Sequence, residues 1–449
     1  MNKLPLPVVK YLNKYSSDNW QIESADISRV NIIVVIPAID ELENIKILLG
    51  SLIECENKYF KSTLFLFVIN NTVISKETVK RNNELSLLFL RNLIFKKNDD
   101  HFSHHITKSG LRLAVIDASS PGKEMPGKDG GVGFARKIGM DLSLTVFDYN
   151  DPAKNILLCL DADCTVSKNY LTAIVDDFNC RKLNAASIYF EHKLNPMNET
   201  TRAIICYELF LRYYVLGLRY SNSYFAFHTI GSSMACTAES YIKIEGMNKQ
   251  KAAEDFYFLE KLAKNYPIET INRAVVFPSA RPSWRVPFGT GQRVNRFIAH
   301  THYEYSLYSP ECFQVLKEWH KLFFADANLN AAEYLSLSKE INIELWNFLI
   351  SNNFQTSWVK ILDNSKTIDQ INLQKFRWFD GFKTLKLVHH LRDNAFPNKN
   401  MFDALDELFL KSNINLVLRN KNEKVPPIEI QTKYLNELRK FDKENDHKN

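Results

Sequence analysis

Three observations predict an α/β fold with a mostly parallel sheet, helices on both of its faces and a largely helical C-terminal region. Short, nearly uninterrupted apolar runs recur through the first third of the chain. Segments between them carry apolar residues three and four apart, and from about Tyr303 onward the runs cease and only long helical patterns remain. Continuous apolar runs mark strands buried on both faces, as a parallel sheet covered by crossover helices requires.

The first run is Ile32 to Ile36 (IIVVI), closed by Pro37. A helical stretch follows from Glu41 to about Glu56, with Leu42, Ile45, Leu48, Leu49 and Leu52 on one face. Leu64 to Ile69, Leu111 to Ile116 and Ile156 to Leu160 are the next three strand candidates. Further on, Ala331 to Ile350 and Lys375 to Leu391 read as helices, and the stretch from Lys421 to the end reads as a polar helix or frayed tail. The expected organisation is an N-terminal extension (1–30), an α/β domain (31–300) and a helical C-terminal region (301–449).

Composition supports this reading and excludes others. Apolar residues make up 45% and charged residues 24%, which rules out a disordered or low-complexity chain. Only 14 Gly and 15 Pro in 449 residues disfavour an all-β protein built on many tight turns. A net charge of +6 is too small in so long a chain to mark a nucleic-acid binder. The seven scattered Cys form no CxxC and read as reduced core thiols of a cytoplasmic protein. No run approaches the ~18 apolar residues of a membrane span. The best candidate, Tyr207 to Tyr220, carries Glu208, Arg212 and Arg219 and reads, with the aromatics up to Phe227, as core packing. Peripheral attachment at the inner membrane face stays compatible with the sequence.

In parallel sheets ligands sit beyond the carboxyl ends of the strands, so the residues after each run carry the chemistry. In LLCLDADCTV a strand runs into Asp161-Ala162-Asp163, and residues two apart in a strand point to one side. Two hard oxygen ligands placed so can hold a divalent cation against a diphosphate, although such acids also cap helices. Glu254 and Asp255 open an amphipathic helix (AAEDFYFLEKL), where acids either complement the helix dipole or supply a general base. SARPSWRVPFGTGQRVNR gathers Arg281, Arg285, Arg293 and Arg296 in a segment suited to a leaving diphosphate. In KDGGVGFARKIGMD the glycines mimic a dinucleotide fingerprint with its third Gly missing. They read better as a turn into a helix that delivers Arg136 toward a nucleotide. His300 and His302 are candidates for a third metal ligand.

Taken in order, these segments resemble family 2 glycosyltransferases. VIPAIDELENI resembles the family's opening strand and turn, with Ile39 and Asp40 in place of an aromatic and Asn, and Glu41 kept. LDAD resembles its metal and nucleotide motif, GSSMACTAESYIKIEGM (231–247) its acceptor-side segment, and AAEDFYFLEKL its ED motif. Asp163 and Asp255 stand 92 positions apart, in keeping with the family's interval. SWRVPFGTG looks like the corresponding segment of a bacterial subgroup.

The resemblance implies a GT-A fold and an inverting hexosyl transfer from a nucleotide-sugar, usually a UDP-sugar, in cell-surface glycan or glycolipid synthesis. Carried onto this chain, it implies Asp255 as base with Glu254 beside it, and Pro37, Ala38, Glu41, Asn70, Arg136, Asp161, Arg281 and Arg285 around the nucleotide-sugar. Asp163, with Asp161 and His300, would ligate manganese or magnesium. Two departures stand out. Asn70-Asn71-Thr72 replaces an acidic segment that reads the nucleoside, and amides donate as well as accept, which leaves the base open. The QxxRW motif of processive members is reduced to Gln292-Arg293. Two other classes compete: a sugar-phosphate nucleotidyltransferase, whose Gly-rich basic loop is replaced here by the acidic Pro37 to Glu41, and a non-catalytic sugar-nucleotide-binding or scaffold protein. The acceptor, whether glycan, lipid-linked sugar or small molecule, is not legible.

Overall fold

The computed structural model describes residues 4–17, 19–97, 100–128, 130–194, 198–282, 289–325 and 329–444. The chain divides into two compact units. The first takes the chain up to Leu194 and again from Thr229 to Gln292; the second takes the segment ending at His228 and the chain from Arg293 onward.

Among the described residues, the first unit is mixed α/β, built on a nine-stranded sheet. Its strands are β1 (Ile22–Ser24), β2 (Ile32–Ala38), β3 (Thr63–Asn70), β4 (Leu113–Ala118), β5 (Ile156–Cys159), β6 (Thr165–Val166), β7 (Ala185–Phe190), β8 (Met234–Thr237) and β9 (Glu269–Phe277), in spatial order β1-β4-β3-β2-β5-β8-β7-β9-β6. The four apolar runs of the sequence are β2 to β5, and they form the central parallel block. Every residue of these four strands is buried, as expected of strands covered on both faces. β8 runs antiparallel between β5 and β7, and β1 closes one edge antiparallel to β4.

The Leu42–Ile53 helix buries Ile45, Leu48, Leu49 and Leu52, the face its spacing predicts. The Val132–Ser143 helix lies against β2 and β3, close enough that Gly139 has no room for a side chain. A Cβ there would press on Val35 and come within 2.9 Å of a Val68 methyl. Gly139→Ala is therefore expected to destabilise the unit by about 1–3 kcal/mol through overpacking, even though Ala is the better helix former. A urea midpoint equal to or above wild type contradicts that packing.

The same helix anchors the N-terminal Leu6–Tyr15 helix. Asp141 Oδ1 accepts hydrogen bonds from the hydroxyls of Tyr11 (2.7 Å) and Tyr241 (2.6 Å), while Lys137 pairs with Asp141 Oδ2 at 2.9 Å. Gly246, at φ 74°, leaves the space that the Tyr11 hydroxyl fills.

The second unit is helical. It comprises the Glu199–Tyr220 helix and a series from Pro310–Phe323 to Ile428–Glu444 around an aromatic core of Trp319, Phe323, Tyr334, Phe354, Trp358 and Phe379. Two expected long helices are each broken. Asn342, extended at φ −166°, ends the Ala331–Ile341 helix and caps the next by accepting from Glu344 N. Asp380 likewise caps the Gly381–Asn394 helix at Lys383 N. The polar tail is a helix with one buried face, carrying Tyr434, Leu435 and Leu438.

Candidate active site

Because β2, β3, β4 and β5 are parallel neighbours, their carboxyl ends share one edge of the sheet. Antiparallel β8 starts at that edge, Met234 pairing with Cys159, so the Gly231–Ser233 turn before it belongs there too. Pro37 and Ala38 close β2 as buried strand residues paired with Val68 and Ile69. Asn70 closes β3, and its amide nitrogen donates to Ala38 O and Val68 O at 3.0 Å each, so both of its N–H groups tie the sheet edge together.

A residue the sequence reading missed completes this corner. Asn83, buried in the Glu77–Ile94 helix, donates to Asn70 O and Asn71 Oδ1, and it accepts from the backbone N–H of Asp40 at 2.9 Å. Asp40 stands at φ 57°, a conformation Asp tolerates better than most residues. The turn that places Glu41 is thus held by a side chain over forty positions away. The clue in the sequence was a pair of poor helix formers, Asn82-Asn83, inside a helical pattern.

Glu41 is buried, and Asn44 Nδ2 donates to its Oε2 at 2.5 Å. Its Oε1 contacts the Arg281 guanidinium, which also lies 3.2 Å from Asp163 Oδ2. One cation therefore joins the turn after β2 to the acid pair after β5. Asp163 and Asp161 remain partly open to solvent.

Arg136 makes the second junction. Its side chain is 2% exposed, and its two terminal nitrogens reach Asp161 Oδ1 (2.5 Å) and Glu254 Oε1. Burial disfavours a bare charge, but the two carboxylates hold this guanidinium firmly protonated. Gly231 permits the arrangement, since a Cβ on it would come within 2.8 Å of Arg136 Cζ. The Asp161 and Glu254 motifs, separated by most of a hundred residues, are bound to one buried fork.

Asp255 follows Glu254 in the first turn of the Glu254–Ala263 helix, which Ala253 enters in the left-handed region at φ 59°. That conformation costs a non-Gly residue on the order of 1 kcal/mol and clusters at functional turns. Asp255 keeps part of its surface open, yet protein packs densely around it. This desolvation, with Glu254 beside it, pushes its carboxyl up to about 7, against the opposing pull of Arg136.

Among the described residues, no group of three or more His, Cys, Asp and Glu is arranged to hold a metal. His300 belongs to the second unit, is exposed, and lies 3.8 Å from Glu199. The Thr290–Ile298 helix ends before it, and His300 stands in the left-handed region at φ 49°. Asp161 and Asp163 still suit a hard cation of the magnesium type, which is commonly held by one or two carboxylates and completed by water and substrate phosphates. Arg293 and Arg296 also lie in the second unit, both paired with Glu304. Arg285 lies outside the described residues.

All seven cysteines are free thiols, and burial pushes Cys159, two residues before Asp161, up to about 12. No helix among the described residues is long and apolar enough to cross a membrane.

No family model and no curated protein matches this chain. Among solved structures, it is similar to S. aureus TarS 1-349 in complex with UDP-GlcNAc at 12% identity, covering 81% of this chain and 92% of that fragment, with a TM-score of 0.38. It is also similar to the mannosyltransferase PcManGT from Pyrobaculum calidifontis in complex with GDP-Man and Mn2+, at 13% identity over 86% of this chain and 94% of that one, with a TM-score of 0.35. Likeness this distant leaves the function to be argued from the residues of this chain.

Proposed function

We propose that the chain is an inverting, GT-A type glycosyltransferase of the family 2 kind, moving a sugar from a nucleotide-sugar to an acceptor hydroxyl. The observation that carries this reading is the pair of arginine junctions. Arg136 ties the Asp161 acid motif to Glu254, and Arg281 ties Asp163 to the Glu41 turn, so the donor-side and base-side groups share one sheet edge.

In the reaction, Asp255 takes the proton of the acceptor hydroxyl as that oxygen forms its bond to the anomeric carbon. The bond from that carbon to the diphosphate oxygen breaks on the opposite face, which inverts the configuration. The nucleoside diphosphate leaves with the bonding pair, and Asp255 ends protonated. A carboxyl poised near neutrality serves as such a base, because enough of it is ionised and it still accepts a proton readily. Arg281 stabilises the charge developing on the diphosphate. Pro37, Ala38, Glu41 and Asn70 shape the nucleoside side, and Arg285 is assigned to the diphosphate with Arg281. A magnesium or manganese ion held by Asp163, with Asp161 near it, would supply further neutralisation of the diphosphate.

The test is thermal shift against UDP, GDP, their sugars and nucleoside triphosphates, with Mn2+ present. A ligand at a hundred times its Kd adds about 2.7 kcal/mol, or ~2 °C or more in a chain of this size. A shift with a nucleoside diphosphate or its sugar, reduced in Asp163→Asn, supports the reading. A shift restricted to triphosphates would make the protein a nucleotidyltransferase, and no shift at all would return it to the scaffold class.

A further inference from the structure

We propose that Arg281 and a divalent cation compete for Asp163, and that the donor diphosphate decides between them by drawing the guanidinium away. The proposal rests on the transferase reading above and deepens it.

Three features of Arg281 lead here. Its terminal nitrogen NH2 is shared between Asp163 Oδ2, at 3.2 Å, and Glu41 Oε1. A dication approaching Asp163 therefore meets a positive charge already seated on the same carboxylate, and like charges that close repel strongly. Second, the holder on the other side is fixed: Glu41 is buried, and Asn44 binds its second oxygen at 2.5 Å. The guanidinium can leave Asp163 and keep Glu41 as its pivot. Third, the Nε–H of Arg281 is buried and meets no acceptor among the described residues. A buried donor without a partner is costly, and an arriving phosphate oxygen is an acceptor of the right charge to satisfy it.

Together these describe two states of one residue. Without donor, Arg281 neutralises Asp163 and suppresses cation binding. With donor, the guanidinium turns its unsatisfied edge to the diphosphate, and Asp163 is released to the cation. Coupling of this kind is reciprocal, so the cation strengthens diphosphate binding by the factor with which the diphosphate strengthens cation binding.

The experiment is a Mn2+ titration of the full-length protein without nucleotide, following the free-ion electron paramagnetic resonance signal. Arg281→Ala is expected to bind Mn2+ about tenfold more tightly than wild type, a size of effect usual for coupling between two ligands of one protein. Arg281→Gln, which removes the charge while keeping a polar side chain with hydrogen-bond donors, should show the same gain and guards against a folding defect in the alanine variant. Adding Asp163→Asn to either variant should abolish the gain. In the absence of metal, UDP or GDP should bind several-fold more weakly to Arg281→Ala by calorimetry.

Equal or weaker Mn2+ binding in both arginine variants overturns the proposal, as does undiminished nucleotide affinity. A gain that survives Asp163→Asn overturns it too, because the ion then sits elsewhere. Failure of the transferase reading shows separately, as a wild-type protein that answers to no nucleoside diphosphate.

Discussion

Asp255→Asn is expected to lower sugar transfer by about 10²- to 10⁴-fold at saturating donor while leaving donor affinity near that of wild type. The substitution keeps the shape of the side chain and removes only its capacity to take a proton. It also leaves the Arg136 bridge from Asp161 to Glu254 in place. Wild-type transfer should rise with pH through an inflection near 7, because the protonated carboxyl is inert as a base and dense packing beside Glu254 holds the proton on to about that pH. The same shift sets the stability. A carboxyl whose native pKa lies above its unfolded value of ~3.9 favours the native state while protonated, and that contribution is lost as pH rises toward 7. Asn mimics the protonated form, so Asp255→Asn should gain stability over wild type from about pH 4 upward and level off above 7. Transfer that is undiminished in the variant, or a wild-type profile flat from pH 5 to 8, removes Asp255 from the role of base.

Asp255 and Glu254 were legible in the sequence as the opening of an amphipathic helix, and Glu41, Asp161 and Asp163 because they follow apolar runs. β2 to β5 are buried on both faces, so they read as unbroken hydrophobic segments, and the edge they share is where Glu41, Asp161 and Asp163 were sought. β7, β8 and β9 were not read. β8 is four residues long, and β9 mixes buried with exposed positions such as Arg273, which hides its period. The breaks at Asn342 and Asp380 were missed because a capping side chain acts through a single hydrogen bond and leaves the apolar spacing on either side intact. Arg136 shows a different limit. Its helix was expected to deliver it toward the nucleotide, but the partners of a buried arginine are long-range, and nothing local in FARKIGM announces Asp161 and Glu254. The same holds for Asn83, whose bonds reach the turn at Asp40.

Replacing Arg212 by Met is expected to destabilise the second unit by about 3–5 kcal/mol, the usual consequence of breaking a buried ion pair from one side. Arg212 and Glu208 are both fully buried in the Glu199–Tyr220 helix. Arg212 Nε donates to Glu208 Oε1 at 2.8 Å, and its NH1 reaches Asp442 Oδ2 at 2.5 Å. Arg439 grips Glu208 with two bonds of 2.8 Å, while Arg219 and His228 hold Asp442 at 2.9 and 3.0 Å. This network fixes the C-terminal helix to the aromatic unit through charge, which explains why so polar a tail is ordered. Methionine fills much of the arginine volume, so the loss is electrostatic, with Glu208 and Asp442 each deprived of a buried partner. Arg439→Ala, at the more exposed end, should cost less. Fluorescence of the buried Trp319 and Trp358 during urea unfolding reports on this unit. Acid provides an independent check. Burial alone would raise the Asp442 carboxyl, but His228, Arg219 and Arg212 outweigh it and hold it well below the usual range. A depressed carboxylate contributes stability above its unfolded pKa of ~3.9 and loses it as pH falls further. The cost of Asp442→Asn should therefore be large at pH 7 and shrink toward pH 2. A cost that does not change over that interval would mean that the tail is held by Tyr434, Leu435 and Leu438 rather than by its charges.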